Sequence, residues 1–271
     1  MPGGLEIDHE KPLGGTMPAY AEQVLISTGK GDWNSKIEDD TDGKLVRHLR
    51  SFIAPKGKYS NPFHNVMLTH SSFAPPERET STSSAYLFPS FRYIPSISLE
   101  PAAVEDFVKA FVLPVEPPAV RGDFPTPDNI ALRQPELQTL FRGVRDVEEI
   151  VVLICSHGSR DSRCGVLGPI LKAEFEEKLE QHGIDTSGKS SERPRARVGL
   201  ISHIGGHRWA GNVIIYLPPQ SEHPLAGTGV WYGRVAPEHV EGIVRQTVLN
   251  GKIIENMFRG GIDQNRNILR L

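Results

Sequence analysis

Two short stretches hold side chains that could do chemistry together. The first is Cys155-Ser-His157-Gly-Ser-Arg160-Asp161-Ser-Arg163-Cys164-Gly165, which follows the apolar run IVVLI. The second is Ser202-His203-Ile-Gly205-Gly206-His207-Arg208-Trp209-Ala-Gly211-Asn212, which follows VGLI. Cys155 and Cys164 are the two cysteines of the chain. Two thiolates and two imidazoles make a complete four-donor set for a soft or borderline metal centre. Each feature alone has an ordinary reading: unpaired cysteines are commonly inert and buried, and histidines at strand ends are commonly hydrogen-bonded structural residues. Their conjunction in two Gly-rich loops, each after a strand, favours ligation. A structural zinc site uses the same donors, and His203 and His207 have a fitting spacing, but zinc-knuckle cysteines normally stand two to four residues apart. A dithiol oxidoreductase would more usually carry Cys-x-x-Cys at a helix start and would leave the histidines idle.

Loops of this kind must hang from a scaffold, and the apolar pattern supplies one. In the first half, Val24–Ser27 reads as a buried strand, Lys36–Phe52 as a helix, Asn65–His70 as a strand, Ala85–Ile94 as one or two strands and Pro101–Phe111 as a helix. The second half repeats the order with strand Ile150–Cys155, helix Val166–Gln181, strands Val198–Ser202, Asn212–Leu217 and Gly229–Val235, and helix Pro237–Leu249. Short continuous apolar runs bounded by turn residues suit strands buried on both faces, and their alternation with helices predicts an α/β protein. Both halves read β-α-β-β-α, and VLIS with VLIC, MLTH with LISH, and PAAVEDFV with PEHVEGIV align as an internal repeat. In this alignment Ser27 stands where Cys155 stands, and His70 stands opposite His203.

The stretch Leu113–Pro127 has five prolines in fifteen residues and suits a linker. The expected organisation is an extension over 1–19, a first unit over 20–127 without ligands, and a second over 128–271 that carries them. The Ser-rich stretches Glu77–Ser84 and Asp185–Arg195 read as surface loops. A net charge of -3 gives no footprint for nucleic acid. No apolar run reaches the roughly 18 to 20 residues that span a bilayer. No paired carboxylates stand in a setting that supports glycoside hydrolysis, and no small-molecule substrate is evident. The N-terminus, with Glu6, Asp8 and Glu10, shows neither a secretory nor a mitochondrial leader.

The long cysteine loop resembles that of ferredoxins that carry a 2Fe-2S cluster on a thioredoxin-like fold. The strings CSHGSRDSRCG, SHIGGHRWAGNVIIY and VLISTGKGDW resemble the fungal sucrase/ferredoxin-like family, which includes the altered inheritance of mitochondria and actin patches distal proteins, across nearly the whole chain. The resemblance implies two thioredoxin-like halves, the second a thioredoxin-like ferredoxin domain. It also implies electron transfer, to redox partner proteins, through a 2Fe-2S cluster held by Cys155, Cys164, His203 and His207. It favours a mitochondrial location, with the cytosol as the alternative. With two neutral ligands the reduction potential should lie above that of an all-cysteine ferredoxin. Arg160, Arg163 and Arg208 are candidates for tuning the site or orienting a partner, His157 for a supporting hydrogen bond, and Trp209 for packing or a partner contact.

Overall fold

The computed structural model describes residues 4–76, 81–117, 130–189, 192–220 and 222–271. In the first half, strand β1 (Glu22–Ser27) leads through a long connection with one 3-10 turn (Ile37–Asp39) to helix α1 (Lys44–Ile53), then to β2 (Val66–Ser71), β3 (Thr82–Phe88), β4 (Arg92–Ser98) and α2 (Pro101–Phe107). After a two-residue strand β5 (Arg145–Asp146), the second half runs β6 (Ile150–Cys155), α3 (Ser162–Gln181), β7 (Ala196–Ile201), β8 (Val213–Leu217), β9 (Thr228–Tyr232) and α4 (Pro237–Ile243). A C-terminal pair follows, β10 (Phe258–Asp263) and β11 (Ile268–Leu269). The β-α-β-β-α order expected for each half is present, with β2 parallel to β1 and β3 antiparallel to it, and β7 and β8 related to β6 in the same way. This mixed pairing is the thioredoxin-like arrangement. The expected unit boundary at 127/128 falls at residues outside those described, as does part of the loop Glu77–Ser84. Among the described residues, no helix is long and apolar enough to cross a membrane.

All the strands join one sheet, ordered β11-β10-β9-β8-β6-β7-β2-β1-β3-β4-β5. The junction is slight: β2 meets β7 antiparallel with Ser71 opposite Ile201. Side chains of Ser202 and Ser72 extend it, accepting from the backbone N–H groups of His70 and Leu200 at 3.0 and 2.9 Å. About this narrow hinge the sheet folds over, so that its halves pack face to face. The alternation of side chains across a strand divides the core accordingly. Val24, Ile26, Ala85 and Leu87 pack in a core with Leu45, Val46 and Leu49 of α1 and Val104 and Phe107 of α2. Their neighbours Leu25, Tyr86 and Phe88 join the core built from the second half. Phe88 stacks on Tyr216 with ring centroids 4.0 Å apart. These two occupy equivalent ladder positions when Ser27 is matched to Cys155.

A one-way chain of hydrogen bonds crosses the same buried interface. Trp231 Nε1 donates to the Tyr20 hydroxyl at 3.1 Å, Tyr20 to the Tyr216 hydroxyl at 2.7 Å, Tyr216 to Gln23 Oε1 at 2.7 Å, and Gln23 Nε2 to Thr69 Oγ1 at 2.8 Å. Each hydroxyl of the two tyrosines both accepts and donates, which removes the desolvation penalty of burying them.

The ladders also correct the repeat. Ser27 pairs with Ser71 in the first half and Cys155 with Ile201 in the second. With Ser27 matched to Cys155, His70 is therefore the equivalent of Leu200 and not of His203. The likeness of Thr69-His70 to Ser202-His203 is local, whereas strand pairing fixes the register of the whole ladder. His70 lies inside β2, fully buried, whereas His203 lies beyond the end of β7.

Candidate metal centre

Cys155 closes β6, and its N–H donates to Asn212 O at 3.0 Å. The chain then turns back at once. His157 O accepts from the N–H groups of Arg160 and Asp161, and α3 begins at Ser162. The sequence predicts a helix start at Val166, but Asp161 caps the helix earlier by accepting from Arg163 N–H at 3.1 Å. Cys164 thus sits in the first turn of α3 instead of in the preceding loop. The turn is tight because two glycines meet: a Cβ on Gly165 would lie 2.6 Å from Gly158 Cα. Both thiols are buried and unbridged by a disulfide.

The second pair of donors comes from the loop after β7. Gly205 and Gly206 adopt φ of 81° and 75°, the left-handed region that favours glycine, and these turns carry the chain from His203 to the short helical turn His207–Trp209. Asn212 ties this loop to the cysteine strand. Its Nδ2 donates to Gly206 O at 3.0 Å while its own carbonyl receives the Cys155 N–H.

Pairwise contacts link the residues singled out by spacing: Cys155 to Cys164 and His203, and His203 to His207. The Cys155 sulfur lies within hydrogen-bond reach of both the Cys164 thiol and the His203 imidazole. The rings of His203 and His207 have centroids 5.4 Å apart. Donation from the Cys164 thiol holds the Cys155 thiol well below its ordinary range despite complete burial, with His203 adding to the effect. Cys164 is pushed up in turn, since it gives its proton to that bond and is itself buried. His203 Nδ1 is buried with no hydrogen-bond partner among the described residues, an unmet acceptor or donor of the kind a ligand would satisfy. Exposure grades across the set: the cysteines are buried, His203 is half-buried and His207 is exposed.

Among the described residues no three His, Cys, Asp or Glu side chains form a group that could hold a single metal ion. A 2Fe-2S cluster makes a different demand, two donors for each of two irons, and the pairing of soft thiolates with imidazoles meets it. The donor set and the unpartnered His203 Nδ1 therefore fit such a group.

The supporting residues are clear. His157, 1% exposed, accepts the His203 N–H at Nδ1 over 3.0 Å and donates from Nε2 to the carbonyls of Trp33 and Asn34, each at 3.0 Å. It fastens the histidine loop to the first half. Asp32, also from the first half, accepts from Ser159 N–H at 3.2 Å and from its hydroxyl at 3.0 Å, seating the cysteine turn. Arg163 is engaged by Asp161 and by Glu6 O, while Arg160 and Arg208 are exposed. Sequence reasoning missed Asp32, Asn212 and Arg259. Asp32 and Asn212 stand inside the strings VLISTGKGDW and SHIGGHRWAGNVIIY, but their residue types give no sign of a bracing role, and Arg259 lies far from the motifs in the chain.

Known proteins resemble the chain over most of its length. "Altered inheritance of mitochondria protein 32" of Meyerozyma guilliermondii is 32% identical over 267 residues, covering 97% of this chain and 88% of that protein. Its namesake from Debaryomyces hansenii is 30% identical, covering 97% and 90%. "Actin patches distal protein 1" of Saccharomyces cerevisiae is 38% identical over 102 residues, covering 38% of this chain and 30% of that one. Among solved structures, the thioredoxin-like [2Fe-2S] ferredoxin from Aquifex aeolicus is 22% identical, with a TM-score of 0.29, over 41% of this chain and 96% of that one. The sucrase/ferredoxin-like family model matches residues 13–260, and the chain belongs to that family.

Proposed function

We propose that this protein is a one-electron carrier that holds a 2Fe-2S cluster on Cys155, Cys164, His203 and His207. The observation that supports the reading is the pairing of Cys155 with Cys164 and His203, together with the buried, unpartnered His203 Nδ1 and the His207 ring 5.4 Å from that of His203. When bound, such a cluster supplies a reversible one-electron couple. The chain's own residues divide the remaining work. Cys155 and Cys164 provide the anionic donors on the buried side. His203 and His207 provide neutral donors on the open side, which raises the potential above that of a four-thiolate site. The exposed edge of His207 is where a redox partner protein would approach. Each imidazole keeps one ring nitrogen outside the ligand bond, so proton uptake there can accompany electron uptake. The names of the relatives support a mitochondrial setting, which cell fractionation tests.

Anaerobic purification followed by iron and sulfide analysis tests the reading. Equal iron and acid-labile sulfide, with a visible absorbance that dithionite bleaches, is the expected result. His203→Cys or His207→Cys should then lower the potential. Colourless protein with stoichiometric zinc and no iron overturns the proposal. The thiol–thiol contact favours one second reading, a dithiol oxidoreductase cycling Cys155 and Cys164. It calls for iron-free protein whose two thiols form a reversible disulfide.

A further inference from the structure

Strand β10 places Arg259 in the interior, 1% exposed, and every group that accepts from it is uncharged. Nη1 donates to Asn212 Oδ1 at 2.6 Å and to Gly205 O at 3.3 Å. Nη2 donates to Thr16 O at 2.8 Å, and Nε to Thr16 Oγ1 at 3.1 Å. The rings of Trp209 and Trp231 lie 5.4 and 5.7 Å from the guanidinium carbon. Elsewhere this protein gives its buried charges ionic partners: Glu22 receives Arg266 at 2.8 Å and Arg133 at 3.5 Å, and Glu149 receives Arg197 at 2.8 Å and Arg145 at 3.2 Å. Arg259 has no carboxylate partner among the described residues. Burying a cation without a counterion costs several kcal/mol, of which indole faces return only a part. Asn212, which accepts from its Nη1, also accepts the Cys155 N–H at its main-chain carbonyl, so the guanidinium is tied to the cysteine strand through one residue. The space it fills is reserved for it, because a Cβ on Gly206, in the histidine loop, would lie 2.6 Å from its Nη2.

We propose that Arg259 is the fixed counter-cation of the Cys155/Cys164/His203/His207 site and favours its more negative, reduced state. This inference rests on the cluster reading above. An oxidised 2Fe-2S core of about +2, with two thiolates and two neutral imidazoles, leaves the site neutral, and one added electron makes it negative. A buried cation with no other partner stabilises that added charge directly. Solution ions cannot screen it as they screen the exposed Arg160 and Arg208. Arg259 is thus a positioning residue for charge, two bonds removed from the ligands through Asn212.

The test uses full-length, anaerobically purified wild type beside Arg259→Lys, Arg259→Gln and Arg259→Met, each assayed for iron and sulfide. Potentials are measured by dye-equilibrated titration with dithionite as the one-electron donor. Arg259→Lys should keep the reduction equilibrium constant within about threefold of wild type. The two neutral variants should lower it at least tenfold, about 59 mV for a one-electron couple. That difference should persist at 1 M salt, whereas any shift from Arg208→Met should fade. If neither neutral variant accumulates, Asn212→Asp, which sets a carboxylate at the position now 2.6 Å from Nη1, must lower the constant instead, and no change overturns the proposal. Neutral variants that retain iron and sulfide at the wild-type potential overturn the role of Arg259 and leave the cluster reading intact, even if they are less stable. A wild type without iron and sulfide overturns both.

Discussion

His157→Phe isolates the link between the histidine loop and the first half. A phenyl ring fills the imidazole volume and can keep the edge contact with Trp33, now at 5.9 Å between centroids, but it has no nitrogen. The His203 N–H then loses its acceptor, and the carbonyls of Trp33 and Asn34 lose a shared donor. The amide is the costly part, since a buried donor left unsatisfied costs about 1–3 kcal/mol. The carbonyls add less, because one N–H is divided between them, so the total is about 2–4 kcal/mol. Against a typical stability of about 5–15 kcal/mol that is a large fraction. Urea denaturation of the apo protein, with the slope checked for constancy, reads the loss as a shift in midpoint. His157→Asn should recover part of it, since an amide oxygen can stand near the Nδ1 position while the Nε2 donor stays absent. Hydrogen exchange at the His203 amide should quicken in the Phe variant and less in the Asn variant. A loss below about 0.5 kcal/mol in His157→Phe, with the His203 amide still protected, would refute the reasoning.

Tyr216→Phe breaks the hydrogen-bond chain between the halves at its centre, stranding the Tyr20 hydroxyl and Gln23 Oε1; a loss of about 2–3 kcal/mol is expected in urea titration, and an unchanged midpoint counts against the network. Gly165→Ala drives a methyl into Gly158 Cα and should cost about 1–3 kcal/mol while lowering iron retention, as metal analysis after gel filtration would show; full retention contradicts the close approach. Acid should destabilise the fold in a definite window. Burial pushes His64 and His70 down to about 4, so between pH 6.5 and 4 the unfolded chain binds protons that the folded chain refuses. Stability then falls as pH drops through that window, by about 3 kcal/mol for each histidine, and their contribution levels off below pH 4. His64→Gln should flatten the slope in urea midpoints, and an unaltered slope rejects the assignment for His64.

Much of the architecture is legible in the sequence because the strands are apolar runs with sharp ends. Ile150–Cys155 reads directly, and the buried positions Val240 and Ile243 of α4, continued by Val244, Thr247 and Val248 in the wider π-helical stretch Val244–Leu249, follow from the apolar period. The helix expected over Lys36–Phe52 is broken: a single 3-10 turn, Ile37–Asp39, ends at Asp40, whose extended backbone and side-chain bonds to Lys30 and the Asn34 N–H separate it from α1 at Lys44. The sequence reading puts Cys164 in a loop because Gly165 looks like a boundary before the apolar period that starts at Val166, whereas Asp161 caps the helix one turn earlier. β10 is not legible in the sequence, since FRGGID shows neither apolar alternation nor a continuous run, and the burial of Arg259 is hidden with it. The four candidate ligands were found by residue type and spacing, which are local. Asp32 and Thr16, which brace the site, reach it only through tertiary packing.

The fold-over at β2 and β7 bears on how far this protein can be cut down. Leu153, Tyr216 and Trp231 of the second half share one core with Leu25, Tyr86 and Phe88 of the first, and Phe88 stacks directly on Tyr216. Excising residues 128–271 as a minimal redox module would lay its side of that core bare, a contiguous apolar patch of the kind that drives association. The first half is thus a cover that the second half needs. Miniaturising the protein would first require the inward positions of β6, β8 and β9 to be rewritten in polar residues.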